Sequence, residues 1–267
     1  MKFNIVRYLI LTSYSFAFYR NDIYSYKRLS PQKAIAIFGA DTSLGRVSLE
    51  KCVDEFQQVI TLVDSNYTDF DISEQIICYK GDITKYNDVK QIYKNHNITG
   101  TIINLKDVSS EKKLLKGTKN IIKSIKKCNS SKKVAITSAI GCGQSINKIP
   151  FYLKFLIKTV LKKQYNDKNN QEQLFLSGSG KSLEYVILRH GILTNDLQSS
   201  IAIINNGYDE ISREDVSAIC YDAITLNNFP FIRKVISIVT MKKKYSSNKE
   251  YISNIHWSNF ARNRFIK

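Results

Sequence analysis

The sequence predicts an α/β protein built on a doubly wound parallel sheet. Three observations carry that expectation: from Lys33 onward short β-branched runs alternate with polar, helix-like stretches, the first run opens into a glycine-bounded turn, and 43% of the 267 residues are apolar. Consecutive parallel strands cannot be joined by a tight hairpin, so the alternation requires crossover helices on both faces of the sheet. Ligands of such sheets sit beyond the C-terminal ends of the strands.

Taken in chain order, the expected strands are Ala34–Phe38, Gln58–Val63, Gln75–Tyr79, Thr101–Leu105, Lys133–Thr137, Tyr185–Arg189 and Val235–Val239. Between them lie helical stretches at Leu44–Phe56, Tyr86–Asn95, Glu111–Lys127, Pro150–Lys163 and Asn169–Ser177. The Pro150–Lys163 stretch is apolar over a broad face, with Lys154, Lys158 and Lys162 at four-residue steps. A lid, a dimer face and a membrane-surface helix all fit it, and a core-covering helix with snorkelling lysines is the favoured reading.

The first strand carries the chemistry. It runs into the segment Gly39, Ala40, Asp41, Thr42, Ser43, Leu44, Gly45, which opens an amphipathic helix. Gly39 permits the sharp turn off the strand, Gly45 lets the helix approach the sheet, and the helix N-terminus turns free N–H groups toward a pyrophosphate. Thr42 takes the place of the middle glycine of the usual dinucleotide-binding spacing, where its hydroxyl and that of Ser43 are candidate donors to phosphate oxygens. Asp64 ends the second strand nineteen residues after Gly45. A carboxylate there accepts both hydroxyls of an adenosine ribose and repels a 2′-phosphate, which favours NAD over NADP. The alternative is a turn cap shared with Ser65 and Asn66. Gly81 and Asp82, after the third strand, are placed to border the adenine, or to make an ordinary turn.

Other composition narrows the classes. Five Cys are scattered without a C-x-x-C pair, and three His (His96, His190, His256) have no second His at helical spacing, so no metal site is expected. The net charge of +17 is concentrated at the ends, with +4 in residues 1–30, +8 in 233–267 and only +5 between. That distribution reads as targeting and tail chemistry, not as a groove for nucleic acid. No run of about 18 apolar residues exists, so no transmembrane span is expected. The division is an extension over 1–32, a dinucleotide-binding domain over 33–240 and a basic tail over 241–267. The extension resembles a secretory signal followed by a transit-like stretch, and with the Lys/Asn bias this points to a secondary plastid, the apicoplast; the alternative is a cytoplasmic protein. The tail interleaves Trp257 and Phe260 with basic residues, and docking of those aromatics on the parent domain is favoured over contact with RNA or anionic lipid.

With these positions fixed, the chain resembles the atypical short-chain dehydrogenase/reductases, in particular the NmrA-like and biliverdin/flavin-reductase-like NAD(P)-binding proteins. The resemblance runs from about Ala34 to Ile224 in ordered blocks: Ile37–Gly45, Lys80–Asp82, Gly117–Asn120, Thr137–Gly143, Lys168–Glu172, Leu188–Leu193 and Ile211–Val216. It implies a Rossmann-type fold in which Gly39, Thr42, Ser43, Leu44 and Gly45 hold the pyrophosphate of NAD or NADP, Asp64 the ribose and Asp82 the adenine, with Asp41 also counted among the cofactor-binding residues. Thr137 and Ser138 then line the nicotinamide side. Lys168 matches the family's lysine, and with Ser138 it completes the catalytic candidates. The family's tyrosine belongs four residues earlier, where Gln164 stands; Tyr165 is one place late, about a hundred degrees around a helix. Arg189, His190, Gly191 replace the usual Arg-Pro-Gly, a departure expected to loosen the substrate-side loop. Ser212 or the Glu214–Asp215 pair is expected to start a helix. Cys142, between two glycines, is read as a small apolar filler rather than a reactive thiol. The resemblance implies hydride transfer to a small planar substrate without the usual tyrosine, or alternatively a non-catalytic dinucleotide sensor or assembly factor.

Overall fold

The computed structural model describes residues 33–55, 57–65, 74–106, 113–197, 199, 201–204 and 206–240. The expected targeting extension over 1–32 and the basic tail over 241–267 lie outside the described residues. Strands β1 (Ala34–Phe38), β2 (Gln58–Val63), β3 (Ile76–Lys80), β4 (Ile98–Ile103), β5 (Lys133–Ala139) and β6 (Glu184–His190) alternate with helices α1 (Ser43–Asp54), α2 (Tyr86–Asn95), α3 (Lys113–Lys127), α4 (Phe151–Thr159) and α5 (Lys162–Leu176). The short strands β7 (Ile192–Thr194), β8 (Ile201–Ile204) and β9 (Glu210–Ser212) follow, then α6 (Arg213–Thr225) and β10 (Lys234–Thr240).

Eight strands form one sheet in the order β3-β2-β1-β4-β5-β6-β10-β8, parallel throughout except where β8 pairs antiparallel with β10. This is the doubly wound order that reverses direction between β1 and β4, where a crevice opens at the strand ends. β1 is buried along its whole length and feeds both layers of core. Ile35 and Ile37 face α1 and α6 through Leu49, Val216 and Ile219, while Ala36 and Phe38 face the layer of α2, α3 and α5 through Ile92, Ile121 and Phe175. The period-2 alternation of one strand thus separates two helical layers.

Three expected boundaries are corrected. β4 begins at Ile98, not Thr101: Gly100 lies inside the strand, where it leaves room for α6, whose Ile224 Cβ would meet an added methyl at 2.7 Å. The single helix expected over Pro150–Lys163 is two helices, broken where Leu161 N–H reaches back to Leu156 O at 3.1 Å and Leu161 O restarts the ladder from Tyr165 N–H. The second of these continues through the stretch expected to start at Asn169. The core-covering reading of α4 is also corrected: Phe151, Tyr152 and Phe155 point outward, at 82%, 69% and 62% exposure. Ser212 caps α6, accepting from Asp215 N–H at 3.0 Å, with Glu214 and Asp215 in the first turn.

Candidate functional site

The turn off β1 is held by its own atoms. Gly39 adopts φ +89°, and a Cβ there would stand 2.5 Å from the Asn104 carbonyl oxygen, so only glycine lets this turn lie against the loop after β4. A Cβ on Gly45 would overlap the Gly39 carbonyl oxygen, which fixes how closely α1 approaches the strand. Thr42 is the N-cap of α1: its Oγ1 accepts from Gly45 N–H at 3.0 Å and donates to Gly39 O at 2.8 Å. The threonine therefore folds inward, its hydroxyl committed to the cap and not to a phosphate as expected from the sequence. Asp41 and Ser43 are exposed on the outer side of the turn, while Leu44 is buried beneath it. Among the described residues, the Ser43 and Leu44 N–H groups find no protein acceptor, as first-turn amides do not unless something is supplied from outside. An anionic pyrophosphate fits this cradle.

The adenosine side follows β2 and β3. Asp64 leaves β2 and its Oδ2 lies 3.7 Å from Lys113 Nζ at the start of α3, both side chains about half exposed. Lys113 is a residue the sequence reading missed; its signal was a cation opening a helix opposite the acidic strand end. Asp82 accepts from Thr84 N–H and Thr84 Oγ1, each at 2.8 Å, while Asp88 Oδ2 accepts from Asp82 N–H. Burial disfavours its charge, but the Thr84 hydrogen bonds together with Lys113 and Lys85 win and hold the carboxyl below its ordinary range.

On the nicotinamide side, Lys168 projects from α5 to the ends of β4 and β5, where Nζ donates to Thr137 O at 2.9 Å and Leu105 O at 3.1 Å. This sets a fixed cation at the switch point, beside the loop that packs on Gly39. Thr137 lies below, donating to Asn104 Oδ1 at 3.1 Å; Asn104 in turn donates to Ser48 Oγ of α1 at 2.8 Å. This buried chain links β5, β4 and α1 beneath the cleft. Asn104 went unread, although an amide at the end of an apolar strand was its signal. Ser138 is fully buried and donates to Glu172 Oε1 at 2.6 Å. Glu172 accepts two bonds from Arg189, at 3.0 and 2.6 Å, so Ser138 belongs to a buried ion-pair network and is not open to the cleft. Gln164 is exposed, and Tyr165, from the first turn of α5, donates to Ile140 O at 3.3 Å; burial raises its pKa.

The substrate-side loop is pinned instead of loosened. His190 Nδ1 bonds Gly191 O at 2.8 Å, Ile192 N–H reaches Asp209 O, and β7 pairs in parallel with β9. Burial pulls the His190 pKa down to about 4, and Lys168 and Arg213 add to the fall against the Gly191 bond, which raises it. The ring is therefore neutral with its proton on Nδ1. Cys142 is fully buried, and burial raises its thiol pKa, as suits a filler. Among the described residues no three His, Cys, Asp or Glu side chains gather as a metal site, and no helix is long and apolar enough to cross a membrane.

The NAD(P)H-binding family matches residues 39–226, from the glycine of the cradle to the end of α6. The chain belongs to that family. Its resemblance to the atypical short-chain dehydrogenase/reductases agrees with this match and with the sheet order. Among curated proteins no relative matches the sequence. Solved structures of the same fold include the anaerobillin reductase ChuY of Escherichia coli, 17% identical over 79% of this chain and 99% of that one, with a TM-score of 0.66. The oxidoreductase ylbE of Lactococcus lactis is 18% identical over 78% and 91%, with a TM-score of 0.64. A wide-type short-chain dehydrogenase/reductase of Veillonella parvula in complex with NADP is 16% identical over 81% and 99%, with a TM-score of 0.62. At these identities the likeness shows the fold. A nicotinamide dinucleotide is the ligand of this NAD(P)H-binding protein.

Proposed function

We propose that the chain is an oxidoreductase that uses NADH to reduce a small planar substrate, such as a flavin or a tetrapyrrole-like compound, without a tyrosine acid. One observation carries the reading: Lys168 is anchored at the ends of β4 and β5, on the loop that packs against Gly39, while the position of the missing tyrosine is an exposed glutamine. When bound, the reduced nicotinamide supplies the hydride. The chain's own part is placement. The amides of Ser43 and Leu44 bind the pyrophosphate, Asp64 takes the ribose hydroxyls, and Lys168 stands where it can hold the nicotinamide ribose. A planar acceptor stacked on the nicotinamide needs no side-chain acid, because the proton that follows hydride can come from solvent. Reductases of the same fold, ChuY among them, support the class.

The test is consumption of NADH with a flavin as acceptor. The expected result is turnover that falls by about tenfold or more in Lys168→Met, because the ribose loses its anchor. Tight cofactor binding with no turnover on any acceptor would replace this reading with the dinucleotide sensor. Delivery to a plastid through residues 1–32 belongs to the same proposal, supported by composition, and is checked by fusing that segment to a fluorescent reporter.

A further inference from the structure

Helix α4 leaves an apolar face in the open. Phe151, Tyr152, Phe155 and Val160 are 82%, 69%, 62% and 74% exposed, and Leu156 is 40% exposed. At about 100° per residue these five share one half of the helix circumference. Leu153 and Ile157, on the other half, pack against Ile149, Ala202 and Val239, so the helix is fixed to the domain with its aromatic face turned away from it. Exposed Lys158 and half-buried Lys154 flank that face on the Phe151 side, Lys148, Lys162 and Lys163 lie just before and after the helix, and the sequence contains no Asp or Glu between Glu111 and Asp167. No ion pair among the described residues involves these lysines.

The charge decides among occupants. A second copy would bury the aromatic face but set two groups of lysines against each other with no acid to offset them. The chain's own ends are net basic too, +4 in residues 1–30 and +6 in residues 241–267, so most of either brings further positive charge to the face; the near-neutral stretch 245–261 escapes this, and a tail seated there would leave a parent protein that ignores anionic vesicles. A bilayer containing anionic lipid answers both halves of the surface: the acyl boundary takes Phe151, Phe155 and Val160, Tyr152 sits at headgroup level, and the lysines meet phosphate.

We propose that α4 seats the protein on an anionic membrane surface, lying in the plane of the interface. Ile157, Lys158 and Lys162 also line a hollow of about 180 Å³ with Gly141, Tyr165 and Asn169, just past the end of β5, so docking sets that hollow close to the lipid. The proposal goes beyond the hydride-transfer reading and does not depend on it.

The test is co-sedimentation of the full chain with phosphatidylcholine vesicles, with and without phosphatidylglycerol. Binding is expected only with the anionic lipid, and it should decline as salt is raised. The triple variant F151S/F155S/V160S keeps every charge and should bind at least about tenfold more weakly. Its melting temperature and NADH affinity should match the parent, because these side chains are exposed and lie outside the cofactor cradle. Lys154→Gln with Lys158→Gln should also weaken binding. Equal binding of parent and triple variant would assign the membrane contact to the basic ends and overturn the proposal. So would a parent that ignores anionic vesicles, or one that is a stable dimer separated by the triple substitution.

Discussion

At the scale of single residues, the cradle depends on Gly45 more than on the substituted Thr42. Thr42 replaces a glycine without intruding because its hydroxyl bonds back to Gly39 O and Gly45 N–H. Gly45 has no such freedom, since any side chain strikes the Gly39 carbonyl. Gly45→Ala should therefore lower stability by about 2 kcal/mol, the cost of forcing packed backbones apart, and abolish NADH binding, as read by thermal unfolding and fluorescence titration. His190 makes a pH prediction. An imidazole of ordinary pKa 6.5 in the unfolded chain falls to about 4 in the fold, so between those values the unfolded chain holds a proton that the folded one lacks. Its contribution is intact above pH 6.5 and is lost as pH falls toward 4, at up to about 1.4 kcal/mol per pH unit. Denaturant unfolding at stepped pH should show a shallower decline for His190→Asn; identical slopes for variant and parent would refute the assignment.

At the scale of elements, β1, β2 and α2 were legible to the residue because an unbroken apolar run and a clean helical period leave little choice. The break between α4 and α5 was not: no Gly or Pro marks it, and it consists of a local i→i−5 bond from Leu161 N–H to Leu156 O that no residue type in the stretch announces. Strands β7 and β9 are three residues each, too short for alternation to register. The glycines of the cradle could be read from spacing, and Lys168 from the family resemblance. The partners of Ser138 could not, because Glu172 and Arg189 come from different elements. That network joins α5 to β5 and β6 in the interior. Glu172→Ala strands the Arg189 guanidinium in a buried site and should cost about 3–5 kcal/mol, seen as a lowered denaturant midpoint. Glu172→Gln, which keeps shape and an acceptor, should cost less.

For the whole molecule, topology does what no local motif can. Reversal of strand order between β1 and β4 brings the Gly39 turn, the Asn104–Leu105 loop and Lys168 to one crevice, with Asp64 and Lys113 at its far end. The two charges at that far end pull cofactor choice in opposite directions: Asp64 suits free ribose hydroxyls and Lys113 a 2′-phosphate. Pairing with Asp64 occupies the lysine, so the carboxylate should dominate. The most direct measurement is calorimetric titration of the full chain and of Asp64→Asn with NADH and with NADPH. One site should take NADH at least about tenfold more tightly than NADPH, with the preference narrowed or reversed when Asp64→Asn releases Lys113. A parent protein that binds neither nucleotide would contradict it.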